Sequence, residues 1–149
     1  MAVGDQRLAS RLFPQGAGNR KFEVITPSSM SRDEFFVALR TVDVGVSGVD
    51  LAVAETGTLI IVTREESERL VTALPQIHVA ILPLSKLVSS FQEAERFVSR
   101  VLESSEGTAI SLISGTSRTT DIGDVVISGV HGPRELHVFL LDQESAGSD

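Results

Sequence analysis

Three segments of the chain place apolar residues every three or four positions behind a capping box, which is a Ser or Thr followed three residues later by Glu. The boxes are Ser31–Glu34, Thr63–Glu66 and Ser90–Glu93. Pro75 closes the second segment, because the residue before a proline is disfavoured in a helix. The pattern predicts three amphipathic α-helices that begin at these boxes.

Short apolar runs bounded by turn residues lie between and after these segments and predict β-strands. The runs are 51–54, 58–62, 77–82, 109–113, 124–127 and 136–141. Several of them show almost no alternation of apolar and polar residues, which indicates strands buried on both faces. Helices and strands alternate up to residue 113, and strand-like runs without a helix follow. We therefore predict an α/β fold with a mostly parallel or mixed sheet flanked by helices.

The length of 149 residues fits one domain. Residues 1–30 contain the glycine-rich stretch Gln15–Asn19 and one short strand candidate at 22–25, so we predict a flexible or poorly packed N-terminal segment. The α/β domain is expected over 31–142, with a polar tail at 143–149.

Composition narrows the classes of function. The chain has no cysteine, which excludes disulfides, a thiol nucleophile and thiolate-held zinc or iron–sulfur clusters, and we expect no cofactor on this chain. The net charge is −7, Trp and Tyr are absent, and no basic cluster follows Lys21, so nucleic acid is not an expected partner. No apolar run is long enough for a secretory signal or a membrane span, which predicts a cytoplasmic protein that does not bind membranes.

The first candidate motif joins two predicted strands and contains Glu55, Thr56 and Gly57. Glycine permits the tight turn and close approach of a ligand, and Glu55 at a strand end could serve as a general base, a nucleophile or a ligand clamp. The structural alternative is a hairpin turn with a solvated glutamate.

The second candidate follows the predicted strand 109–113 and contains Ser117, Arg118, Thr119 and Asp121. Ligands of open α/β sheets gather at the carboxyl ends of strands, and an arginine there can clamp a carboxylate or phosphate. The structural alternative is a hydroxyl-rich loop in which Arg118 pairs with a nearby aspartate.

The third candidate is His131, in a turn that carries two glycines and Pro133. A histidine can act as an acid, a base or a carboxylate-orienting donor near neutral pH, or it can simply hydrogen-bond the backbone of a rigid loop. Its spacing from His78 and His137 does not form a recognisable metal-ligand set, so we predict no metal site. His78 and His137 lie inside apolar strands and are interpreted as structural residues with satisfied hydrogen bonds.

Taken in order, four segments resemble the lactate-utilisation protein C family, which is built on the LUD domain. They are GVSGVDLAVAETGTLIIV, LPQIHVAILP, SGTSRTTDI and GVHGPRELHVFLLD, and the resemblance covers residues 45–142. It implies a fold similar to the sugar-phosphate isomerase and CoA-transferase-like class. It also implies a role in bacterial oxidation of L-lactate to pyruvate together with iron–sulfur partner proteins, with the present chain as a carboxylate-binding or accessory subunit that can form homo-oligomers.

The positions that match the polar motifs of the family are our candidate site. Glu55 and His131 are the catalytic candidates, and the substrate-binding candidates are Thr56, Gly57, Ser117, Arg118, Thr119 and Asp121. Two other functions stay open: a stand-alone enzyme that acts through Glu55 on a phosphorylated or CoA-linked small molecule, and a non-catalytic assembly module. Family members usually carry a longer part before the region that matches Gly45, so we expect a pocket that is open on one side or completed by a partner.

Overall fold

The structure is a computed structural model that describes residues 1–4, 6–13, 23–104, 109–120, 126–128 and 131–142. Its α-helices are α1 (Gln6–Leu12), α2 (Arg32–Leu39), α3 (Glu66–Val71) and α4 (Phe91–Ser104). Its strands are β1 (Ala2–Val3), β2 (Val44–Gly48), β3 (Leu51–Val53), β4 (Thr58–Thr63), β5 (Ile77–Pro83), β6 (Leu87–Val88), β7 (Ala109–Ile113), β8 (Arg118–Thr120), β9 (Val126–Ser128) and β10 (Glu135–Leu141).

The first sheet is parallel and has the order β1-β2-β5-β10. On one of its faces, Val46 and Ile81 pack with residues of α1. Parallel neighbours need crossover connections, and the chain between β2 and β5 supplies one that contains β3, β4 and α3. This sheet confirms the prediction of a parallel component.

The second sheet has the order β6-β3-β4-β7 and contains both parallel and antiparallel pairs. Ala52 and Leu59 of this sheet pack against Ala80 and Leu82 of the first sheet, which forms a core between the two sheets. The outer side of the second sheet packs against α4, whose Ala94 is fully buried. Mixed sheets flanked by helices confirm the predicted fold class.

Two of the three predicted helix starts are confirmed. Ser31 caps α2, and α4 begins directly after Ser90. The prediction at Thr63 is wrong, because Thr63 is the buried last residue of β4 and α3 begins at Glu66. The carboxylate of Glu68 accepts hydrogen bonds from the backbone N–H groups that precede this helix, including that of Arg64 at 3.0 Å.

The described part of the N-terminal segment differs from the predicted loose segment. Ala2 and Val3 are fully buried and pair with β2 in the parallel sheet. The N–H of Val3 donates to the carbonyl of Ile25 at 2.9 Å, which brings the predicted strand at 22–25 beside β1 as a single bridge. The first residues of the chain are therefore part of the domain core. The predicted polar tail at 143–149 lies outside the described residues.

Strand β10 departs from the prediction of strands buried on both faces. It lies at the edge of the parallel sheet and pairs with β5. Phe139 and Leu140 are more than half exposed, at 55% and 58%. The apolar run of β10 therefore forms a partly exposed edge strand. The apolar run of β4 shows the predicted burial on both faces.

Replacing Ser31 by Ala should lower the free energy of unfolding by about 1 kcal/mol, the usual cost of losing a helix N-cap. The side chain of Ser31 accepts from the N–H of Glu34, and the carboxylate of Glu34 accepts from the N–H of Ser31 at 2.9 Å. Urea unfolding near neutral pH would measure the change. The exposed Ser85→Ala is the control, and an equal loss in both variants would show that the cap contributes nothing specific.

Candidate functional site

A cleft of about 590 Å³ opens between the amino end of the parallel sheet and the end of β7. Its size lies in the range of small-molecule sites. Its walls come from α3 and the turn that follows it, from β5, from β7 and the loop after it, and from the loop before β10. The lining residues are Arg69, Leu70, Thr72, Ala73, His78, Ser111, Leu112, Ile113, Ser114, Gly115, Thr116, Ser117, His131, Gly132, Pro133 and Leu136.

Hydrogen bonds between loops fix the polar side of the cleft. The N–H of Ser117 donates to the carbonyl of Pro133 at 3.0 Å, so the loop after β7 and the loop before β10 are joined. The N–H of Arg134 donates to the carbonyl of Gln76 at 2.7 Å, which holds the second loop at the start of β5. Gly115 has a φ of 112°, a conformation that side-chain-bearing residues rarely adopt, so the turn beside Ser117 requires glycine. These contacts place the hydroxyl of Ser117 and the imidazole of His131 in one cleft.

The described lining of the cleft is basic, in contrast to the acidic protein as a whole. The chain has a net charge of −7, yet none of the described residues that line the cleft is Asp or Glu. Arg69 lies in the wall of the cleft, and none of the ion pairs found in the described ranges involves it. It also lines a smaller cavity together with Glu65 and Glu66. Several serine and threonine hydroxyls complete the lining. A guanidinium with surrounding hydroxyls is suited to bind a carboxylate or another small anion.

His78 forms part of the cleft wall and is 1% exposed. Its Nε2 lies 2.8 Å from the hydroxyl oxygen of Ser47, and its Nδ1 has no hydrogen-bond partner. Burial lowers the pKa of His78 to about 4, because the protonated imidazole is poorly solvated there. The prediction of a satisfied structural histidine therefore holds for one ring nitrogen and fails for the other.

Two of the candidate site residues, Ser117 and His131, line this cleft. Arg118 is the exposed first residue of β8, where it pairs with Ser128, and it does not line the cleft. Thr119 follows it in β8 and pairs with Ile127. Asp121 lies outside the described residues. Among the described lining residues the cation is thus Arg69 of α3, while the arginine predicted from the loop lies on a neighbouring hairpin.

The turn between β3 and β4 is connected to the cleft by hydroxyl groups. The hydroxyl oxygens of Thr56 and Thr58 lie 2.7 Å apart, and that of Thr58 lies 2.7 Å from the hydroxyl oxygen of Ser114, which lines the cleft. Glu55 and Gly57 are exposed on this turn and do not line the cleft. The structure therefore does not bring Glu55 and His131 into one pocket within the part of the chain that it describes.

The cleft lies at the amino ends of β5 and β10, although ligands of parallel sheets usually bind at the carboxyl ends. A smaller cavity of about 280 Å³ lies at the carboxyl ends of β1 and β2. Asp50 and Glu68 are among its lining residues, and Lys86 donates to the carbonyl of Val49 there at 2.9 Å. Its two carboxylates offset the positive charges of Arg64 and Lys86, which also line it, so this cavity is less suited to an anion than the larger cleft.

Sequence reasoning missed Arg69 and His78 as site residues. Arg69 follows three glutamates on a short helix, which is the pattern of a solvated helix face. His78 stands alone in an apolar strand. No local motif marks either residue, and only the packing of α3 and β5 against the loop after β7 brings them together.

The described ranges contain neither a metal-ligand cluster nor a helix suited to span a membrane. In those ranges no three His, Asp or Glu side chains come together as a metal site. None of the helices described is both long and apolar enough to cross a membrane.

The chain is similar to known proteins in sequence and in structure. The sequence profile of the LUD domain matches residues 8–141. Lactate utilization protein B of Shouchella clausii is 35% identical over 112 residues, which are 74% of this chain and 22% of that protein. Lactate utilization protein C of Macrococcus caseolyticus is 33% identical over 104 residues, which are 68% of this chain and 45% of that protein.

The chain thus spans less than half the length of each of these two relatives. The identities to the B and the C protein are nearly equal, so they do not distinguish the C type that the sequence motifs indicate. In structure, the chain is similar to a DUF162 family protein from Deinococcus radiodurans, with a TM-score of 0.57 and 20% identity. The similarity covers 94% of this chain and 85% of the other, and it supports the fold alone.

Proposed function

The chain belongs to the LUD domain family, and from this membership we propose that it is a component of L-lactate utilisation that binds a small 2-hydroxy or 2-oxo carboxylate in the cleft. The family match begins at residue 8, far ahead of the start at residue 45 that the motifs indicate, and it includes every described lining residue. The similarity to relatives named lactate utilization protein B and C supports a role in lactate utilisation.

We infer an anionic ligand because the described lining of the cleft has no acidic side chain, although the protein as a whole is acidic. The guanidinium of Arg69 would pair with the carboxylate of the ligand. The hydroxyl of Ser117 and the imidazole of His131 would donate hydrogen bonds to its oxygens. The loop hydrogen bonds hold the segments of Ser117 and His131 in place, so the carboxylate end of the ligand would meet largely preformed partners.

We place the electron-transfer step of lactate oxidation on partner proteins. The chain has no cysteine and so no thiolate to hold an iron–sulfur cluster. An accessory role, in which this domain presents the carboxylate to a cluster-bearing partner, agrees with the cleft being open to solvent on one side. The partner would complete the wall that the described residues leave open.

The alternative of a stand-alone enzyme that acts through Glu55 is less well supported. Glu55 lies on an exposed turn, and the lining of the cleft does not include it. A general base must come within hydrogen-bond reach of the bound substrate. We therefore expect Glu55→Gln to leave ligand affinity unchanged.

We expect Arg69→Ala to weaken binding of L-lactate and pyruvate by about tenfold or more. A hydrogen bond to a charged group contributes ~1.5–3 kcal/mol, and ~1.4 kcal/mol corresponds to a tenfold change in affinity. Isothermal titration calorimetry would measure the dissociation constants. Thermal-shift titrations with L-lactate, pyruvate, acetyl-CoA and a sugar phosphate would compare the ligand classes, since a ligand at a hundredfold excess over Kd adds ~2.7 kcal/mol of stability.

Arg118→Ala is the matched control, because Arg118 is exposed and lies outside the cleft lining. It should bind both carboxylates like the wild type. A loss in Arg118→Ala with no change in Arg69→Ala would move the site to the β8–β9 hairpin. No stabilisation of the wild type by any of the carboxylates would overturn the proposed binding function.

A further inference from the structure

Ser47 and His78 form a buried polar pair on neighbouring parallel strands. Gly45 lies directly opposite His78 in the register of β2 and β5, so Ser47 and His78 lie diagonally on the same face of the sheet. They are 5% and 1% exposed, and the distance from the hydroxyl oxygen to Nε2 is 2.8 Å. The contact with Ser47 engages Nε2 of the imidazole and leaves Nδ1 without a hydrogen-bond partner.

The pair lies between two cavities. Ser47 lines the 280 Å³ cavity at the carboxyl ends of β1 and β2, while His78 lines the 590 Å³ cleft. Nδ1 of His78 is the one buried side-chain nitrogen or oxygen in the described ranges that lacks a hydrogen-bond partner. A buried polar atom without a partner is costly, so such an atom in a folded protein calls for a functional or structural explanation.

The chemistry of the pair allows two arrangements of its protons. Because burial lowers the pKa of His78 to about 4, the ring is neutral near pH 7 and carries one N–H and one lone pair. The hydroxyl of Ser47 can both donate and accept a hydrogen bond. If Nε2–H donates to Ser47, Nδ1 is an acceptor. If the hydroxyl donates to Nε2 instead, Nδ1 carries the proton and is a donor.

We propose that His78 is a specificity-determining residue that recognises the oxygen on C2 of the bound carboxylate through Nδ1. With a 2-hydroxy acid, Nδ1 accepts the hydrogen of the C2 hydroxyl. With a 2-oxo acid, Nδ1–H donates to the keto oxygen, and the Ser47 hydroxyl reverses its own hydrogen bond. This inference rests on the proposed carboxylate-binding function, and it explains how one site can hold both the reduced and the oxidised form of the ligand.

2-Hydroxy and 2-oxo acids differ in the oxygen on C2, which is a hydroxyl in the first and a keto oxygen in the second. The carboxylate, bound by Arg69, is common to both, so it cannot distinguish them from a simple fatty acid. Nδ1 is closed to solvent in the structure, so the ligand reaches it only when it displaces part of the cleft wall.

Binding of propionate, which lacks the C2 oxygen, tests the proposal directly. We expect the wild type to bind L-lactate and pyruvate about tenfold more tightly than propionate, the effect of one hydrogen bond. In His78→Phe, which keeps an aromatic ring of similar size, the three affinities should become equal. In Ser47→Ala, affinity for L-lactate and pyruvate should fall while affinity for propionate stays the same, a split that general loss of structure would not produce.

Nitrogen-15 NMR of the imidazole gives a second readout on the wild-type protein, which does not depend on whether a variant folds. The protonated nitrogen of His78 should be Nε2 in the L-lactate complex and Nδ1 in the pyruvate complex. The same tautomer in both complexes, or equal affinity of the wild type for L-lactate and propionate, would overturn the role of His78 and leave carboxylate binding intact. No binding of any of the three acids would overturn the proposed function itself, and this inference with it.

Discussion

Replacing Gly45 by Ala should lower the free energy of unfolding by about 3 kcal/mol or more. A Cβ at this position would lie 2.0 Å from the backbone oxygen of Val71 and 3.0 Å from Cγ of Pro75. The chain at Val71 is the end of α3, which lies against β2 at this point. Because the nearest atom belongs to the backbone, the clash can be relieved only by moving the helix away from the sheet.

Gly48→Ala is the matched control, since Gly48 lies in the same strand and a Cβ there meets no atom within 4 Å. It should stay within about 1 kcal/mol of the wild type, because alanine loses less conformational entropy on folding than glycine. Urea unfolding of both variants near neutral pH measures the difference. Equal stability of the two variants would mean that α3 does not pack on β2 as described. A side effect of Gly45→Ala should be weaker ligand binding, because α3 carries Arg69.

The sequence predicted the elements that local signals define. Capping boxes at Ser31 and Ser90 identified two helices, and continuous apolar runs identified β3, β4, β5, β7 and β10 to within about one residue. Strand β2, which is central to the parallel sheet, was missed because its sequence, VGVSG, contains two glycines and a serine. Those small residues are present for tertiary reasons: Gly45 gives room to α3, and Ser47 binds His78. Propensity cannot reveal a strand whose composition is set by the elements packed against it.

Part of the candidate cleft was predictable from turn signals. His131 and Ser117 lie in loops rich in glycine and hydroxyl residues, and both line the cleft. Turn signals also predicted Glu55 and Arg118. Glu55 lies on an exposed turn and Arg118 is the exposed first residue of β8, and neither lines the cleft. A turn signal indicates where the chain bends and says nothing about which bends face each other. Arg69 and His78 could be placed in the cleft only from the structure, because contacts between segments distant in sequence bring them there.

Stability should fall by roughly 3 kcal/mol between about pH 6.5 and about pH 4 because of His78 alone. Burial lowers the pKa of His78 from its ordinary value of 6.5 to about 4. In that interval the unfolded chain takes up a proton on this residue and the folded protein does not, so acid favours unfolding. Each pH unit between the two pKa values contributes about 1.4 kcal/mol, and below about pH 4 both states are protonated and the loss stops growing.

Urea unfolding of the wild type and His78→Phe across this pH range measures the effect as a difference between the two proteins. The exposed His137→Gln serves as the control, and it should lose stability in acid like the wild type. Glu34, whose pKa is lowered chiefly by the hydroxyl of Ser31, loses its contribution only as the pH falls below about 4.5 and does so equally in all three proteins. If His78→Phe showed the full acid loss of the wild type, His78 would not be a buried neutral imidazole, and the two proton arrangements proposed for its pair with Ser47 would have no basis.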